Sequence, residues 1–536
     1  MPTFDKRGIM VDCSRNAVPT AKTLKKFINL MKQMDYNMLM LYTEDTYEVE
    51  GQPYFGYMRG KYTLKELKEI DDYCYAQEIE CVPCIQTLAH LNAFVRWKEV
   101  QEYTDCNDIL LVGDDKTYKL IDDMFASLSK TFRSRYIHIG MDEAHMIGRG
   151  KYFDQNGCVP IDKIMQEHLR KVKEIADKYG YQSMIWSDMI FCAVNGGAYI
   201  TDRPEIINQD ARNMLPENVV PVYWDYYSLD KIHYDNMIEA HERLGVPVWF
   251  AGGLWKWSGF VPLNGFSIRA NLAALKSCEE HHVENVFFTM WGDNGAEASL
   301  FSVLPSMFYT SQLLKGISDE LQIKENFKTL IGAAFDDYME IDLPEFSKTA
   351  TNSGKWINPS KYMLYNDYFC GLHDSITDAS RNKIYARASA SLAKLEHNGQ
   401  YGYIFTTIRA LCDVLMLKND IGIRTRTAYR IKNMSGIREL IQEYRILTER
   451  IEVFYYAFRK QWFIENKPFG FEVQDARLGG LIQRTKSCME RLQMFADGAI
   501  QEIPELDEDI LDPECGDGTV REIGLNSWIK SFTSVI

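Results

Sequence analysis

Two adjacent carboxylates, Asp142 and Glu143, are the side chains of this sequence best placed to carry chemistry. They end an apolar run that starts at Arg135 and is typical of a buried strand. In α/β proteins the carboxyl ends of parallel strands commonly carry catalytic groups, and two neighbouring carboxyls can act as a proton donor and a fixed negative charge. The alternative interpretation is structural, because Asp142 could simply cap the helix that follows.

Tryptophans accumulate at the ends of other predicted strands, interleaved with charged side chains. A single tryptophan is usually part of a core. Five of the six tryptophans named below are instead predicted at one rim, beside carboxylates, which is a different pattern. Pyranose rings present apolar C–H faces for stacking and hydroxyls for carboxylates, so this pattern predicts a sugar-binding pocket. Six of the 10 tryptophans lie in or just after predicted strands five to eight, namely Trp186, Trp224, Trp249, Trp255, Trp257 and Trp291.

The elements that position these residues alternate between short apolar runs and amphipathic segments. One amphipathic stripe covers residues 161–172, and Gly180 is expected to cap that helix. Eight strand–helix alternations predict an α/β fold, a (β/α)8 TIM barrel of parallel strands. An open doubly wound sheet is the alternative, but no G-x-G-x-x-G follows the first strand. The predicted strands are 8–13, 37–43, 80–86, 135–141, 182–187, 219–223, 246–251 and 285–290.

The hydrophobic pattern of the sequence changes after about residue 315. Strand-like apolar runs become rare there, and helical periodicity predominates. We therefore predict two domains, the (β/α)8 catalytic barrel over 1–315 and an all-α C-terminal domain over 316–536. Helices are predicted over 379–397, 403–418, 421–462 and 476–496, and the carboxylate-rich stretch 502–516 is predicted to be a surface excursion. The helical domain could support either the barrel or a homodimer.

Composition excludes several classes of partner. The net charge of −15 would be repelled by nucleic-acid phosphates and anionic lipid, so neither nucleic acid nor a membrane is an expected partner. The sequence has no run of 18 apolar residues and no apolar signal core at its start, so a soluble, cytoplasmic protein is expected. Its 12 cysteines are scattered. Cys81 and Cys84 form a C-x-x-C, but on a strand they would point to opposite faces, which predicts a structural role.

The run His138-Ile-Gly-Met-Asp-Glu143 resembles the signature of glycoside hydrolase family 20, the β-N-acetylhexosaminidases, which reads His-x-Gly-(Gly)-Asp-Glu. The resemblance covers about residues 5–315, with Met141 in place of the second glycine. It implies an exo-acting enzyme that removes terminal β-linked N-acetylglucosamine, or N-acetylgalactosamine, from an oligosaccharide or glycoconjugate. It implies no cofactor and no metal.

The resemblance also implies a substrate-assisted mechanism, an exception to the usual pair of carboxyls across the scissile bond. In that mechanism the oxygen of the sugar's own 2-acetamido group attacks the anomeric carbon. Glu143 is then the general acid and later the base for water, while Asp142 orients the acetamide N–H. We expect apolar side chains to pack around Glu143.

Further site residues follow from the order of strand ends in the family. Arg7 and Arg15 flank the first strand, and the family's opening Arg-Gly matches Arg7-Gly8, which implies that Arg7 binds sugar hydroxyls. The family's tyrosine for the acetamido carbonyl has no match after strand seven, so Tyr226 and Tyr227 are the candidates. The family's N-terminal α/β domain is absent, which implies a subgroup with a C-terminal helical domain. The other predicted substrate-binding residues are Asp45, His90, Trp186, Trp224, Trp255, Trp291 and Asp293, the last in place of a glutamate.

Three other functions fit parts of the sequence. Asp142-Glu-Ala-His145 spells a helicase box, but the chain lacks the P-loop that such a box requires. A metal-dependent barrel hydrolase would need several histidines at strand ends, and the 10 histidines include no H-x-H or H-E-x-x-H. A non-catalytic or differently specific sugar-binding barrel is the main alternative, and the retained acid Glu143 disfavours it.

Overall fold

A closed barrel of eight parallel strands forms the first part of the chain in this computed structural model, which describes residues 4–257, 259–345, 358–397, 399–513 and 527–535. Each strand pairs with its neighbours in sequence, and β8 closes the barrel against β1. The predicted TIM-barrel fold is therefore confirmed. The strands are β1 (Lys6–Asp12), β2 (Met38–Thr43), β3 (Glu80–Ile85), β4 (Tyr136–His138), β5 (Gln182–Trp186), β6 (Val220–Trp224), β7 (Trp249–Gly253) and β8 (Asn285–Met290).

The strand that precedes the two carboxylates is shorter than predicted. β4 ends at His138 rather than at residue 141. Gly140 and Met141 have φ values of 72° and 70°, a left-handed conformation that cannot continue a strand. Asp142 and Glu143 therefore lie on a loop beyond the carboxyl end of β4 rather than on the strand itself.

Side chains alternate between the barrel interior and the layer that faces the helices. On β2, Met40 packs inside the barrel and Leu41 packs outside it, and both are fully buried. The same alternation separates the C-x-x-C, because Cys84 lies inside the barrel while Cys81 lies in the outer layer beside Cys74. The two thiols thus point to opposite faces, as the sequence predicted.

Helices cover the outside of the barrel where amphipathic segments were predicted. In α6, Ile164 and Leu169 are buried, and Gly180 follows the helix with a φ of 71°. The N–H of Tyr181 donates to the carbonyl of Ala176 at 3.0 Å, the bond of a Schellman cap, which confirms the predicted cap. The helices of this part are α1 (Ala21–Gln33), α2 (Leu64–Ala76), α3 (Asn92–Val95), α4 (Asp115–Ser129), α5 (Lys151–Asn156), α6 (Ile161–Lys178), α7 (Asp188–Val194), α8 (Gln209–Met214), α9 (Lys231–Glu242), α10 (Asn264–Glu280) and α11 (Leu304–Leu314).

The part of the chain that follows the barrel is helical, as predicted. Its three longest described helices, α16 to α18, pack side by side. No helix in the described ranges is long and apolar enough to cross a membrane. The helices are α12 (Glu320–Ile331), α13 (Phe335–Met339), α14 (Pro359–Tyr365), α15 (Arg381–Leu392), α16 (Gly402–Arg430), α17 (Met434–Glu465), α18 (Phe471–Ala496), α19 (Pro504–Asp507) and α20 (Trp528–Phe532).

The predicted break between residues 418 and 421 is wrong, since α16 continues through both positions. Asn419 stays inside the helix because its side-chain amide donates to Asn382 Oδ1 at 2.9 Å. Gly422 permits a close approach, because a Cβ there would lie 3.0 Å from the carbonyl oxygen of Tyr368. The chain turns instead at Lys432, where φ is 54°, before α17 begins.

The carboxylate-rich stretch 502–516 is anchored where the structure describes it, up to residue 513. Ile503 and Leu506 are fully buried against the long helices. Arg426 Nη1 donates to the carbonyls of Leu506 and Glu508 at 2.9 and 2.8 Å. The stretch therefore runs over the surface, and two apolar side chains anchor it over 503–508. Residues 514–516 lie outside the described residues.

Candidate active site

A pocket of about 510 Å³, measured to its open mouth, lies at the carboxyl ends of the barrel strands. Nine of the twelve residues that the sequence predicted for the site line this pocket, and two others join them. The lining residues are Arg15, His90, Asp142, Glu143, Trp186, Trp224, Tyr226, Tyr227, Trp257, Trp291 and Asp293.

The loop after β4 is strained where it presents the two carboxylates. Gly140, Met141 and Glu143 all have left-handed backbone, with φ of 72°, 70° and 51°. At Gly140 an added Cβ would clash with the Gln86 side chain and lie 2.7 Å from the carbonyl of Ile85, so only glycine fits. Strained backbone of this kind persists where the surrounding structure holds it, and it is frequent at functional sites.

The two carboxylates differ in exposure. The side chain of Asp142 is buried, whereas that of Glu143 is 52% exposed at the pocket mouth. The expectation that apolar side chains pack around Glu143 is therefore wrong. The Glu143 side chain lines the pocket, where a bound molecule could reach its carboxyl.

Asp142 forms an ion pair with His90. Gln86 Nε2 donates to Asp142 Oδ1 at 2.7 Å, and His90 Nε2 lies 3.1 Å from Asp142 Oδ2. Burial alone would raise the pKa of Asp142, but the charge of His90 outweighs it and holds that pKa well below its usual range. Burial likewise lowers the pKa of His90, but the charge of Asp142 prevails and raises it to about 9. Both partners are thus charged at neutral pH.

His90 also touches the second carboxylate, since its Nε2 lies 3.5 Å from Glu143 Oε2. One ligand atom from each of His90, Asp142 and Glu143 lies within 4.8 Å of the others, so the three side chains could hold a metal ion. A histidine ligand must be neutral, whereas the pKa of His90 is raised to about 9. Without a metal ion, His90 therefore carries a proton beside the two carboxylates.

Asp188, at the start of α7, holds the backbone of Glu143 through a hydrogen bond. Its Oδ2 accepts the backbone N–H of Glu143 at 2.8 Å, and its Oδ1 lies 3.5 Å from Trp224 Nε1. Burial, followed by the negative charge of Asp142, raises the pKa of Asp188 to about 7. Asp188 is not among the residues that the sequence predicted for the site, because nothing in the sequence shows that it meets the Glu143 backbone.

Aromatic rings form the walls of the pocket. Trp186 is fully buried and its ring centre lies 6.0 Å from that of Trp291. Trp291 Nε1 donates to the hydroxyl of Tyr226 at 3.0 Å, and the Tyr226 ring stacks against Trp224 at 5.5 Å. Tyr227 stands at the rim with 41% of its surface exposed. The rings leave flat apolar faces beside the charged groups, as sugar binding requires.

A second charged group closes the pocket on the side of β1 and β8. Arg15 Nε donates to Glu44 Oε1 at 2.6 Å, and Arg15 Nη1 lies 3.2 Å from Asp293 Oδ1. The guanidinium also packs over the Trp291 ring at 5.4 Å. Burial raises the pKa of Asp293 to about 6, and the charge of Arg15 opposes that rise. Planar guanidinium and carboxylate groups of this kind bind vicinal hydroxyls.

The structure corrects the choice of Arg7. Arg7 is the second residue of β1 and lies at the amino end of the barrel, opposite the pocket. Its Nη1 donates to the carbonyl of Phe4 at 2.7 Å and its Nε to that of Asp35 at 3.0 Å. Arg15 follows the carboxyl end of the same strand, so it reaches the pocket that Arg7 cannot.

Asp45 does not line the pocket. Its buried Oδ1 accepts from Arg59 Nε at 3.1 Å, and its neighbour Glu44 faces Arg15 instead. Successive residues after β2 point in different directions, and the sequence match selected the wrong one of the two.

Trp255 also lies outside the pocket, behind its wall. It is fully buried, stacks on Trp257 at 4.4 Å, and its Nε1 donates to the carbonyl of Tyr226 at 3.0 Å. Trp257 faces the pocket in its place. The sequence showed both tryptophans in one loop but not which ring would turn inward.

Comparisons with known proteins indicate the family of this chain. The Glycosyl hydrolase family 20 catalytic domain matches residues 4–233, and the Glycoside Hydrolase 20C C-terminal domain matches residues 336–519. Hexosaminidase D of Homo sapiens is 25% identical over 322 residues, 56% of this chain and 59% of that protein. Beta-hexosaminidase 3 of Arabidopsis thaliana is 24% identical over 232 residues, 41% of this chain and 42% of that protein. The chain thus spans about half the length of these two relatives.

Among solved structures, the GH20 exo β-N-acetylglucosaminidase from Vibrio harveyi is 15% identical, with a TM-score of 0.48 over 64% of this chain and 59% of that chain. The two family matches cover the barrel strands β1 to β6 and most of the helical part, and they include the Asp142–Glu143 loop. This chain belongs to glycoside hydrolase family 20.

Proposed function

We propose that this protein is an exo-β-N-acetylhexosaminidase, which releases terminal, non-reducing β-linked N-acetylglucosamine from an oligosaccharide or glycoconjugate, with N-acetylgalactosamine as a second substrate sugar. The observation that carries the proposal is the contact of Asp142 and Glu143 with one nitrogen of His90, at the edge of a tryptophan-lined pocket. Membership of family 20 and the names of the relatives support the same activity.

The shape of the pocket supports attack at a chain end. The buried Trp186 closes its interior, so a glycan can enter only from the open mouth. A wider polar groove adjoins it and shares Arg15, His90 and Asp293 with it. We propose that the groove receives the rest of the glycan. Its other lining residues include Asn16, Arg59, Asn92, Arg96 and Asn294.

The placement of the carboxylates supports substrate-assisted catalysis. Asp142 and Glu143 stand side by side, 3.1 and 3.5 Å from the same His90 nitrogen, and one oxygen of each lies within 4.8 Å of the other. Two carboxyls that divide the work of nucleophile and acid must instead flank the scissile bond. The nucleophile is therefore proposed to come from the substrate, whose 2-acetamido oxygen lies close to the anomeric carbon.

The proposed reaction has two steps. The acetamido oxygen forms a bond to the anomeric carbon while the glycosidic C–O bond breaks and Glu143 gives its proton to the leaving oxygen. The permanently charged Asp142 accepts the acetamide N–H and stabilises the positive charge of the bicyclic intermediate. Water, deprotonated by Glu143, then attacks the anomeric carbon. The bond between that carbon and the acetamido oxygen breaks, which restores the acetamide. Tyr226, whose hydroxyl lies beside Trp291, is proposed to contact the acetamido carbonyl.

The state of the thiols supports a reducing compartment. None of the eleven cysteines that the structure describes is in a disulfide, and seven of them are buried. We propose that the protein acts in the cytoplasm.

The test is turnover of an aryl β-N-acetylglucosaminide by the wild-type protein and by Glu143→Gln. Glutamine keeps the size of the side chain but has no proton to give, so kcat should fall by about 10²–10⁴-fold. Binding of N-acetylglucosamine should stay within a few-fold, since the pocket is otherwise unchanged. Wild-type activity should persist in a chelator, because none of the proposed steps uses a metal ion. Binding without turnover by the wild-type protein would instead favour a sugar-binding barrel.

A further inference from the structure

Two buried cations of the helical domain converge on the loop that follows β8. Lys361, in α14, donates through Nζ to the carbonyl oxygen of Asn294 at 2.8 Å. Arg477, in α18, donates through Nη1 to the same oxygen at 3.1 Å. That carbonyl belongs to the residue directly after Asp293, so the two donors fix the chain beside a residue of the sugar pocket.

Glu297 completes this cluster. Its Oε2 lies 2.6 Å from Lys361 Nζ and its Oε1 lies 2.9 Å from Arg477 Nη1. All three side chains are 8% exposed or less. Removing charges from water is so unfavourable that a buried ion cluster adds little stability over well-packed apolar side chains. The main effect of the cluster here is to fix positions, because each charged group is held in place by its hydrogen-bond and ion-pair partners.

The loop itself is shaped around these side chains. Asp293 has a φ of 31° and Gly295 a φ of 119°, both in left-handed backbone. A Cβ at Gly295 would clash with the Arg477 guanidinium and lie 3.0 Å from Glu297 Oε1. Gln474, one turn before Arg477 on α18, donates to the carbonyl of Gly295 at 3.3 Å. The unfavourable conformation of the loop is therefore held from the helical side.

The cluster also acts on Asp293 through its charge. Two cations against one carboxylate leave an excess of positive charge behind the loop. Burial raises the pKa of Asp293, and Lys361 is among the charges that oppose that rise. The cluster thus favours the ionised carboxylate that pairs with Arg15 Nη1 at 3.2 Å.

We propose that Lys361 and Arg477 are positioning residues, which hold the loop after β8 so that Asp293 meets Arg15 at the end of the sugar pocket. The helical domain then completes the active site rather than only covering the barrel. This inference rests on the proposed function in one respect, that Asp293 binds hydroxyls of the terminal sugar.

The experiment compares Arg477→Met and Lys361→Met with Asp293→Ala in the full chain. Misplacement of a group in an active site by about 1 Å can cost about 10²-fold. A smaller displacement of Asp293 should therefore raise KM for an aryl β-N-acetylglucosaminide by about 10-fold in the Arg477→Met and Lys361→Met variants. In the double variants with Asp293→Ala, KM should rise no further than in Asp293→Ala alone, because the two residues act through Asp293.

Arg484→Met is the matched control. Arg484 lies on the same helix, two turns from Arg477, and pairs with Asp367 at 2.6 and 2.9 Å away from the pocket. This variant should lose stability in urea unfolding but keep its KM. Should Arg477→Met fail to fold, Arg477→Lys retains a donor for the Asn294 carbonyl, and its KM should lie between the wild-type and Asp293→Ala values.

Calorimetric titration with N-acetylglucosamine separates this inference from the proposed function, since it needs no turnover. Weaker binding by the Arg477 and Lys361 variants, non-additive with Asp293→Ala, supports the positioning role even if the wild type has no hydrolytic activity. Unchanged KM and binding in folded variants, or effects that add to those of Asp293→Ala, would overturn it. Absence of wild-type turnover with intact binding would count against the proposed function alone.

Discussion

His90 is the residue on which the two carboxylates converge. It holds Asp142 ionised through an ion pair and stands 3.5 Å from Glu143, so one imidazole sets the charge of one carboxyl and borders the other. Its own backbone is left-handed, with a φ of 58°, and its N–H donates to Asp108 Oδ2 at 3.0 Å. The division of roles between the two carboxyls thus depends on one ring being held in one place.

The His90–Asp142 pair should make stability depend on pH in a defined direction. The folded pKa of His90, about 9, lies above its ordinary 6.5, so this stabilisation is complete below pH 6.5 and is lost as the pH rises through about 9. His90→Gln should therefore lower the free energy of unfolding more at pH 6 than at pH 9.5, by on the order of 3 kcal/mol. Urea unfolding of both proteins at the two pH values measures the difference. An equal loss at both would show that His90 is not charged through Asp142.

Asp188 should matter as a hydrogen-bond acceptor for the Glu143 backbone. Asp188→Asn keeps an oxygen that can accept the Glu143 N–H, whereas Asp188→Ala removes it and releases a strained residue. We expect kcat on the aryl substrate to fall about 10–100-fold in the alanine variant and only a few-fold in the asparagine variant. Equal losses in the two variants would mean that the charge of Asp188, rather than its hydrogen bond, is what the site requires.

Among the secondary-structure elements, the end of β4 determines where Asp142 and Glu143 lie. The strand stops at His138, and a left-handed turn at Gly140 and Met141 then places Asp142 inside the pocket and Glu143 at its mouth. Gln86, directly after β3, donates to Asp142 and accepts the N–H of Met141 at 3.2 Å, so it joins two strand ends. The sequence motif therefore works only because β3 and β4 are neighbours in the barrel.

Gly140→Ala should disrupt this junction. The new Cβ would clash with Gln86 and enforce a left-handed conformation on alanine, so we expect a loss of about 2 kcal/mol or more in the free energy of unfolding and a clear fall in kcat. Gly180→Ala is the matched control, because φ is the same within 1° but no atom lies within 4 Å of the new Cβ. It should lose about 1 kcal/mol and keep its kcat. A normal kcat in Gly140→Ala would contradict the role of the turn.

The strands were predictable because buried parallel strands are short, continuous apolar runs, and all eight appear in the barrel. Local pattern failed where a distant contact decided the outcome. α16 passes through the predicted break because Asn419 finds a partner in α15, and Arg15 rather than Arg7 enters the pocket because of strand direction. Asp188 and Trp257 were missed for the same reason, since their roles depend on which neighbour the closed barrel brings to them.

At the scale of the whole molecule, the helical domain braces the open end of the barrel. Glu465, the last residue of α17, is buried and accepts the N–H of Leu300 at 2.9 Å, just beyond the loop after β8. Lys467 pairs with Glu66 of α2 at 2.8 Å on the other side. The helical part therefore contacts the barrel beside β8 and at α2, and through Arg477 it contacts the loop after β8 that carries Asp293. The loop that carries Asp293 at the candidate site is therefore held by the helical part as well as by the barrel.

Attack by the substrate's own 2-acetamido group is tested most directly with two aryl β-glycosides that differ only at position 2. One carries an acetamido group there and the other a hydroxyl. In the proposed mechanism Asp142 and Glu143, which stand side by side, leave the attack on the anomeric carbon to the substrate's own amide. That mechanism predicts that kcat/KM is at least about 10³-fold higher for the acetamido compound. Comparable values of kcat/KM for the two glycosides would contradict substrate-assisted catalysis, because the nucleophile would then have to come from the protein.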